Sequence, residues 1–172
     1  MQLSYHKTLV EAPESSDPTQ IFSVTAMCWS PNGKRLAVCT VDRVVLMFDE
    51  NGTKRDKFPT KSIEKGFKEY FVKQMAFSPS SDKLAVAQTD NSVFVYKIGL
   101  EWGEKKSICN KFQHGTPTLC LVWPSQSPSE IIYGLYDGSV RVGNIKTHKT
   151  RELYMGPPWV YAMAVNPGIC FF

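Results

Sequence analysis

No stretch of this 172-residue chain approaches the roughly 18 consecutive apolar residues that span a bilayer as a helix. The opening MQLSYHKTLVEAPESSD holds no apolar core of the kind that marks a signal peptide, so secretion is not expected. There is no Gly-x-Ser-x-Gly elbow, no phosphate-cradling glycine loop and no His-Glu-x-x-His. The five cysteines (Cys28, Cys39, Cys109, Cys120 and Cys170) form no Cys-x-x-Cys and stand apart from the three histidines, which predicts reduced thiols and neither disulfides nor zinc. These gaps predict a protein without catalytic residues, cofactor, metal or small-molecule substrate. A net charge of +4 permits an acidic partner but falls short of the clustered basic balance that nucleic-acid binding favours.

What the chain does contain is repetition. MCWSPNGKRLAVCTVDRVVLMFDENG (27–52) and MAFSPSSDKLAVAQTDNSVFVYKIG (75–99) share one plan: the offset between Trp29 and Phe77 also separates Asp42 from Asp90 and Phe48 from Tyr96. A third unit, LVWPSQSPSEIIYGLYDGSVRVGNI (121–145), places Trp123 and Asp137 at the matching points, and VYAMAVNPG (160–168) opens a fourth. A period of about 40–50 residues points to a solenoid or a propeller.

Within each unit, runs rich in β-branched and aromatic residues are separated by turn clusters. Strands are predicted near 23–29, 35–40, 43–49, 71–77, 83–89, 92–98, 117–123, 130–136 and 139–145, and charged stretches at 50–58, 100–112 and 146–154 can supply a short outer strand to each unit. Asp42-Arg43, Asp90-Asn91 and Asp137-Gly138 read as two-residue reversals, Asp-Gly being a type I′ signal. The Asn-Gly-Thr at 51–53 reads as a turn. VVLMF (44–48) and VFVY (93–96) are apolar at consecutive positions, so both faces of the sheet must be covered. Stacking four-stranded blades around an axis does this without helices. The fold expected is all-β: a partial propeller of three four-stranded antiparallel blades plus the start of a fourth. Residues 1–19 are an N-terminal strand and linker, 20–68 the first blade with a long basic loop, 69–113 the second, 114–156 the third and 157–172 an incomplete fourth. Three blades would leave two terminal faces bare, VVLMF among them, and a chain prone to associate or aggregate.

The small-Trp-Ser-Pro before the second strand, the hairpin Asp and the aromatic near the end of the third strand resemble the WD-repeat family, although the closing Trp-Asp is degenerate (Phe48-Asp49, Tyr96-Lys97, Gly143-Asn144) and His114-Gly115 reverses the usual Gly-His. At finer grain, MQLSYHKTL, AVCTVDRVVLMFDENGTKRDKFPTK (37–61) and QTDNSVFVYKIGLEWGEKKSICNKF (88–112) resemble the N-terminal propeller of the intraflagellar transport protein 172 family. That resemblance implies a truncated, non-enzymatic scaffold of intraflagellar transport complex B, partnered by other subunits of that complex, located in the cilium and the cytoplasm at its base, and serving cilium assembly and cargo transport. The alternative is a WD-repeat adaptor of some other assembly, contacting an anionic membrane or a nucleic acid through the basic loop.

Asp42, Asp90 and Asp137 recur too regularly for an active site, and side-chain bonds to turn amides explain them. Trp29, Phe77 and Trp123 are expected to anchor blade packing, whereas Trp102 and Trp159, in connecting segments, are expected to be exposed contacts. The candidate interaction element is the loop carrying Lys54, Arg55, Lys57, Lys61, Lys65 and Lys68. It suits an acidic protein or an anionic lipid surface, and a merely solvated connector is the plainer reading.

Overall fold

The structure, a computed structural model, describes residues 6–11, 23–64, 66 and 69–166. In these residues every regular element is a strand: β1 (Val24–Trp29), β2 (Arg35–Thr40), β3 (Val44–Asp49), β4 (Lys54–Pro59), β5 (Val72–Phe77), β6 (Lys83–Gln88), β7 (Ser92–Lys97), β8 (Ser107–Gln113), β9 (Thr118–Val122), β10 (Glu130–Leu135), β11 (Ser139–Asn144) and β12 (Thr150–Met155). They pair in sequence order as three four-stranded antiparallel sheets. The nine inner strands fall within one residue of the expected bounds, because period, turn chemistry and β-propensity agree at each. β1 packs beside β5 and β5 beside β9, so the first strand of each sheet lies at a common hub and the fourth at the rim. These are propeller blades.

The hairpins differ from expectation. Each β2–β3, β6–β7 and β10–β11 loop holds three residues rather than two. Arg43 N–H bonds the Thr40 carbonyl at 2.9 Å and Gly138 N–H that of Leu135 at 3.2 Å. Positive φ falls only on the last loop residue, Arg43 (66°), Asn91 (64°) or Gly138 (90°). This is a type I turn followed by a left-handed residue, not type I′.

Two cores fill the blade junctions. Met47, Val45 and Phe58 of blade 1 meet Met75, Phe77, Phe94 and Tyr96 of blade 2. Val93, Val95 and Phe112 of blade 2 meet Leu121, Ile131 and Tyr133 of blade 3. Phe77 and Trp123 sit against these cores as expected, but Trp29 is 53% exposed. The same strand position faces the preceding blade, and among the described residues no blade precedes blade 1. The far face of blade 1 is less bare than anticipated: Leu9 and Val10 lie over Leu36, Val38, Leu46 and Phe48, and Phe48 keeps only 2% of its surface. Beyond β12, residues 156–166 form no strand. They turn back to the β10–β11 hairpin, where Trp159 N–H bonds the Tyr136 carbonyl at 3.0 Å and the Val160 side chain lies over Gly134.

Register explains how the blades lock. Val45, Val93 and Val140 pair across the rim with Phe58, Phe112 and Tyr154. Phe58 reaches Tyr96 of the next blade, ring centroids 5.1 Å apart, and Phe112 packs on Gly143 of the next. Tyr154 has no next blade within the described residues and is 58% exposed.

Candidate functional site

The basic stretch is not a free loop. Lys54, Arg55 and Lys57 lie on β4 and all three are exposed to solvent. Asp56 between them pairs with Lys106 of blade 2, an ion pair that, with the Lys57 amide, holds its carboxyl below the usual range against the opposing pull of burial. Arg55 stands 4.0 Å from Asp49 and 6.0 Å above the Trp102 ring. Lys54 borders a groove of about 490 Å³ with Thr8, Leu9, Val10 and Glu11. The connector that follows is tied to blade 2: Lys61 donates its backbone N–H to Tyr96 Oη at 2.9 Å, Thr60 and Tyr70 hydroxyls lie 3.0 Å apart, and Ile63 N–H donates to Asp90 Oδ2 at 2.9 Å. Lys65 and Lys68 lie outside the described residues. The structure therefore groups Lys54, Arg55 and Lys57 on a rigid edge, with Lys61 exposed beyond its end.

The three hairpin aspartates share a place but not a bonding pattern. Asp42 accepts from the Thr40 hydroxyl and from Val44 N–H at 3.2 Å. Asp137 accepts from Ser139 N–H at 2.9 Å and from its hydroxyl at 2.7 Å. Asp90 accepts from the Ser92 hydroxyl, and its second oxygen takes the Ile63 amide described above. These contacts order turns and one connector.

Two features escaped the sequence reading. Trp102 is not a free contact. Its ring lies beneath the Arg35 guanidinium, 4.5 Å away, while Arg35, itself buried, donates to the carbonyls of Gly99 (2.8 Å) and Leu100. Burial lowers the Arg35 pKa from its ordinary value, opposed by the charges of Glu101 and Glu104. The unusual length of Gly-Leu-Glu-Trp-Gly-Glu-Lys-Lys after β7 was the available signal. The second feature is His114, buried on the connector into blade 3, its ring 4.6 Å from that of Tyr133. Burial first, and the Arg141 charge second, push its pKa down to about 4, with Asp137 opposing.

A neutral buried histidine gives a sign that can be worked out. The unfolded chain binds a proton near pH 6.5 that the folded chain resists until about pH 4. Stability is therefore retained above pH 6.5 and declines as pH falls from there to 4, by about 3 kcal/mol for this group. Urea unfolding at pH 7 and pH 4.5 should show the decline, and His114→Phe should flatten it. An unchanged slope in the variant would contradict the assignment.

Cys109, Asn110 and His148 meet at one groove, residue types that elsewhere serve nucleophilic chemistry. Burial raises the Cys109 thiol pKa, which disfavours the thiolate such chemistry needs. Burial likewise pushes Cys28 up to about 12 and Cys39 to about 11. Among the described residues no group of three or more His, Cys, Asp or Glu side chains could hold a metal ion, and no helix is long and apolar enough to cross a membrane.

Comparison with known proteins agrees with the blades. Residues 16–49 match the family described as WD domain, G-beta repeat. A crystal structure of the Myceliophteria thermophila Cps50 (Swd1) β-propeller domain superposes with a TM-score of 0.66 at 14% identity, over 84% of this chain and 45% of that one. The chain is 47% identical over 168 residues to the mouse intraflagellar transport protein 172 homolog, 50% to that of Danio rerio and 45% to intraflagellar transport protein 172 of Chlamydomonas reinhardtii. Each match covers 96% of this chain and 9% of the relative, so the chain spans about a tenth of their length.

Proposed function

As a WD-repeat propeller chain related to intraflagellar transport protein 172 along nearly its whole length, the protein, we propose, is a non-enzymatic interaction module of intraflagellar transport, binding other subunits of complex B at the cilium and its base in support of cilium assembly. The similarity over 96% of the chain carries this reading. It is supported by the three stacked four-stranded sheets and by the Cys28, Cys39 and Cys109 thiols, whose pKa values burial raises.

The contact surface proposed is the β4 edge: Lys54 and Lys57, with Lys61 just beyond. A rigid strand presents these charges with less ordering cost than a loop would. Arg55 is excluded, since it is engaged by Asp49 and Trp102. Replacing Lys54, Lys57 and Lys61 with Glu should weaken capture of other intraflagellar transport subunits at low salt by about tenfold. The melting temperature should move by no more than a few degrees, because exposed charges contribute little to stability. Equal capture after the triple replacement would remove β4 from the interface, and a chain that neither enters cilia nor co-purifies with any transport subunit would remove the ciliary reading.

A further inference from the structure

Junctions 1–2 and 2–3 are built alike and finished differently at the end where the outer hairpins turn. In blade 1, Arg35 opens β2 opposite Asp49 and Asp56 sits on β4 opposite Met47. In blade 2, Lys83 opens β6 opposite Lys97 and Asn110 sits on β8 opposite Val95. At the first junction the segment between β7 and β8 runs from 98 to 106 and folds inward. Trp102 enters below Arg35 and beside Arg55, Lys106 pairs with Asp56, and Glu104 closes the turn by accepting Glu101 N–H at 2.7 Å. At the second junction the segment between β11 and β12 covers only 145–149. It is too short to bring in a counterpart of Trp102, and a groove of about 500 Å³ stands in the corresponding place, lined by Ser80, Lys83, Cys109, Pro128, Ile145 and Lys146.

The groove is ordered in advance. Buried Asn110 donates one amide hydrogen to the Ile145 carbonyl at 3.0 Å, which fixes its NH₂ side. The same nitrogen lies 2.8 Å from His148 Nδ1. A donor there makes Nδ1 the acceptor, so the neutral ring carries its proton on Nε2 and has that N–H left to give. Asn144 Oδ1 accepts the amides of Lys146 (2.9 Å) and Thr147 (3.0 Å), holding the short turn in shape. Lys83 is paired with Asp82 at 2.6 Å, so the two charges offset each other, and Lys146, exposed on the groove, has no ion-pair partner among the described residues. Cys109, Pro128 and Ile145 supply apolar lining and Lys146 a positive charge, and the volume lies within the range of about 300–1,000 Å³ common to ligand pockets.

We propose that this groove binds an aromatic side chain flanked by carboxylates, presented by an acidic segment of a partner protein. Its intramolecular counterpart is Glu101-Trp102-Gly103-Glu104, whose Trp102 packs into the equivalent place one blade earlier while both carboxylates stay exposed. The proposal rests on the interaction-module reading but not on the β4 lysines, and the assay below uses no ciliary subunit, so each can fail alone.

The probe is an acetylated, amidated Glu-Trp-Gly-Glu peptide titrated into the isotope-labelled 172-residue chain. Saturable shifts of the Asn110 side-chain amide and of the Lys146 and His148 backbone amides are expected. Lys146→Glu should weaken the response by about tenfold and Lys146→Gln by less. The peptide with Ala for Trp and the peptide with Gln for both Glu should each lose most of it. Equal shifts with the Ala peptide, shifts confined to other surfaces, or no effect of Lys146→Glu would overturn the proposal. So would phosphatidylserine-containing vesicles perturbing the same amides when the peptide does not, an outcome that would assign the groove to lipid.

Discussion

Phe112→Ala is expected to cost about 3–5 kcal/mol of stability, lowering the melting temperature by about 10 °C or more. Phe112 is 2% exposed on β8. A side chain at Gly143 would meet its ring at 3.0–3.2 Å, and the Tyr133 ring lies 6.3 Å away. Register shows what this ring replaces. Phe48 stands opposite Leu36, Tyr96 opposite Leu84, and Gly143 opposite Ile131. Where blades 1 and 2 have an aromatic on the third strand, blade 3 has a glycine, and Phe112 reaches across from blade 2 to occupy the room. The junction therefore depends on one large ring bedded on a backbone that cannot collapse into the gap. At junction 1–2, Phe58→Ala leaves Tyr96 in place and should cost less. Paired urea titrations decide the matter: a Phe112 loss no larger than the Phe58 loss would show that the ring is not the substitute inferred here.

Gly138→Asn is the second large effect, expected to cost about 2–3 kcal/mol. The backbone alone does not demand glycine, since Arg43 and Asn91 hold the same left-handed position in the other hairpins. What differs is the chain folded back over blade 3. A Cβ at Gly138 would lie 2.4 Å from the carbonyl oxygens of both Gly156 and Pro157. Main chain cannot yield as a side-chain tip does, so residues 156–160 must move, taking Trp159 off the Tyr136 ring that it meets edge-on at 6.1 Å. The matched control is Asn91→Gly, which should change stability by only a few tenths of a kcal/mol. If Gly138→Asn is as mild as the control and Trp159 fluorescence is unchanged, the return segment does not press on the hairpin.

The nine inner strands, the rim strands and the places of the hairpins were legible in the sequence because each depends on a few neighbours along the chain. Short apolar runs, β-branching, a proline after Ser30 or Ser78, and an Asp in a turn act over three to six residues. Even the miscounted hairpins were placed correctly, the error being one loop residue and one φ angle.

What acts between blades was not legible, because the same residue type at the same repeat position meets a different neighbour in each. Trp29 and Phe77 are equivalent in sequence, yet one is exposed and the other buried, since among the described residues only the second has a blade on the side it faces. Trp102 looked like a contact until Arg35 and Arg55 closed on it. A groove at one junction and a filled slot at the other follow from the length of one turn relative to another. The sequence by itself determined that there are blades, because strand and turn formation is local. Only the tertiary structure decided which faces are covered, which cations are already engaged and where a cavity remains, because burial is a property of what stands opposite, and what stands opposite is some fifty residues away along the chain.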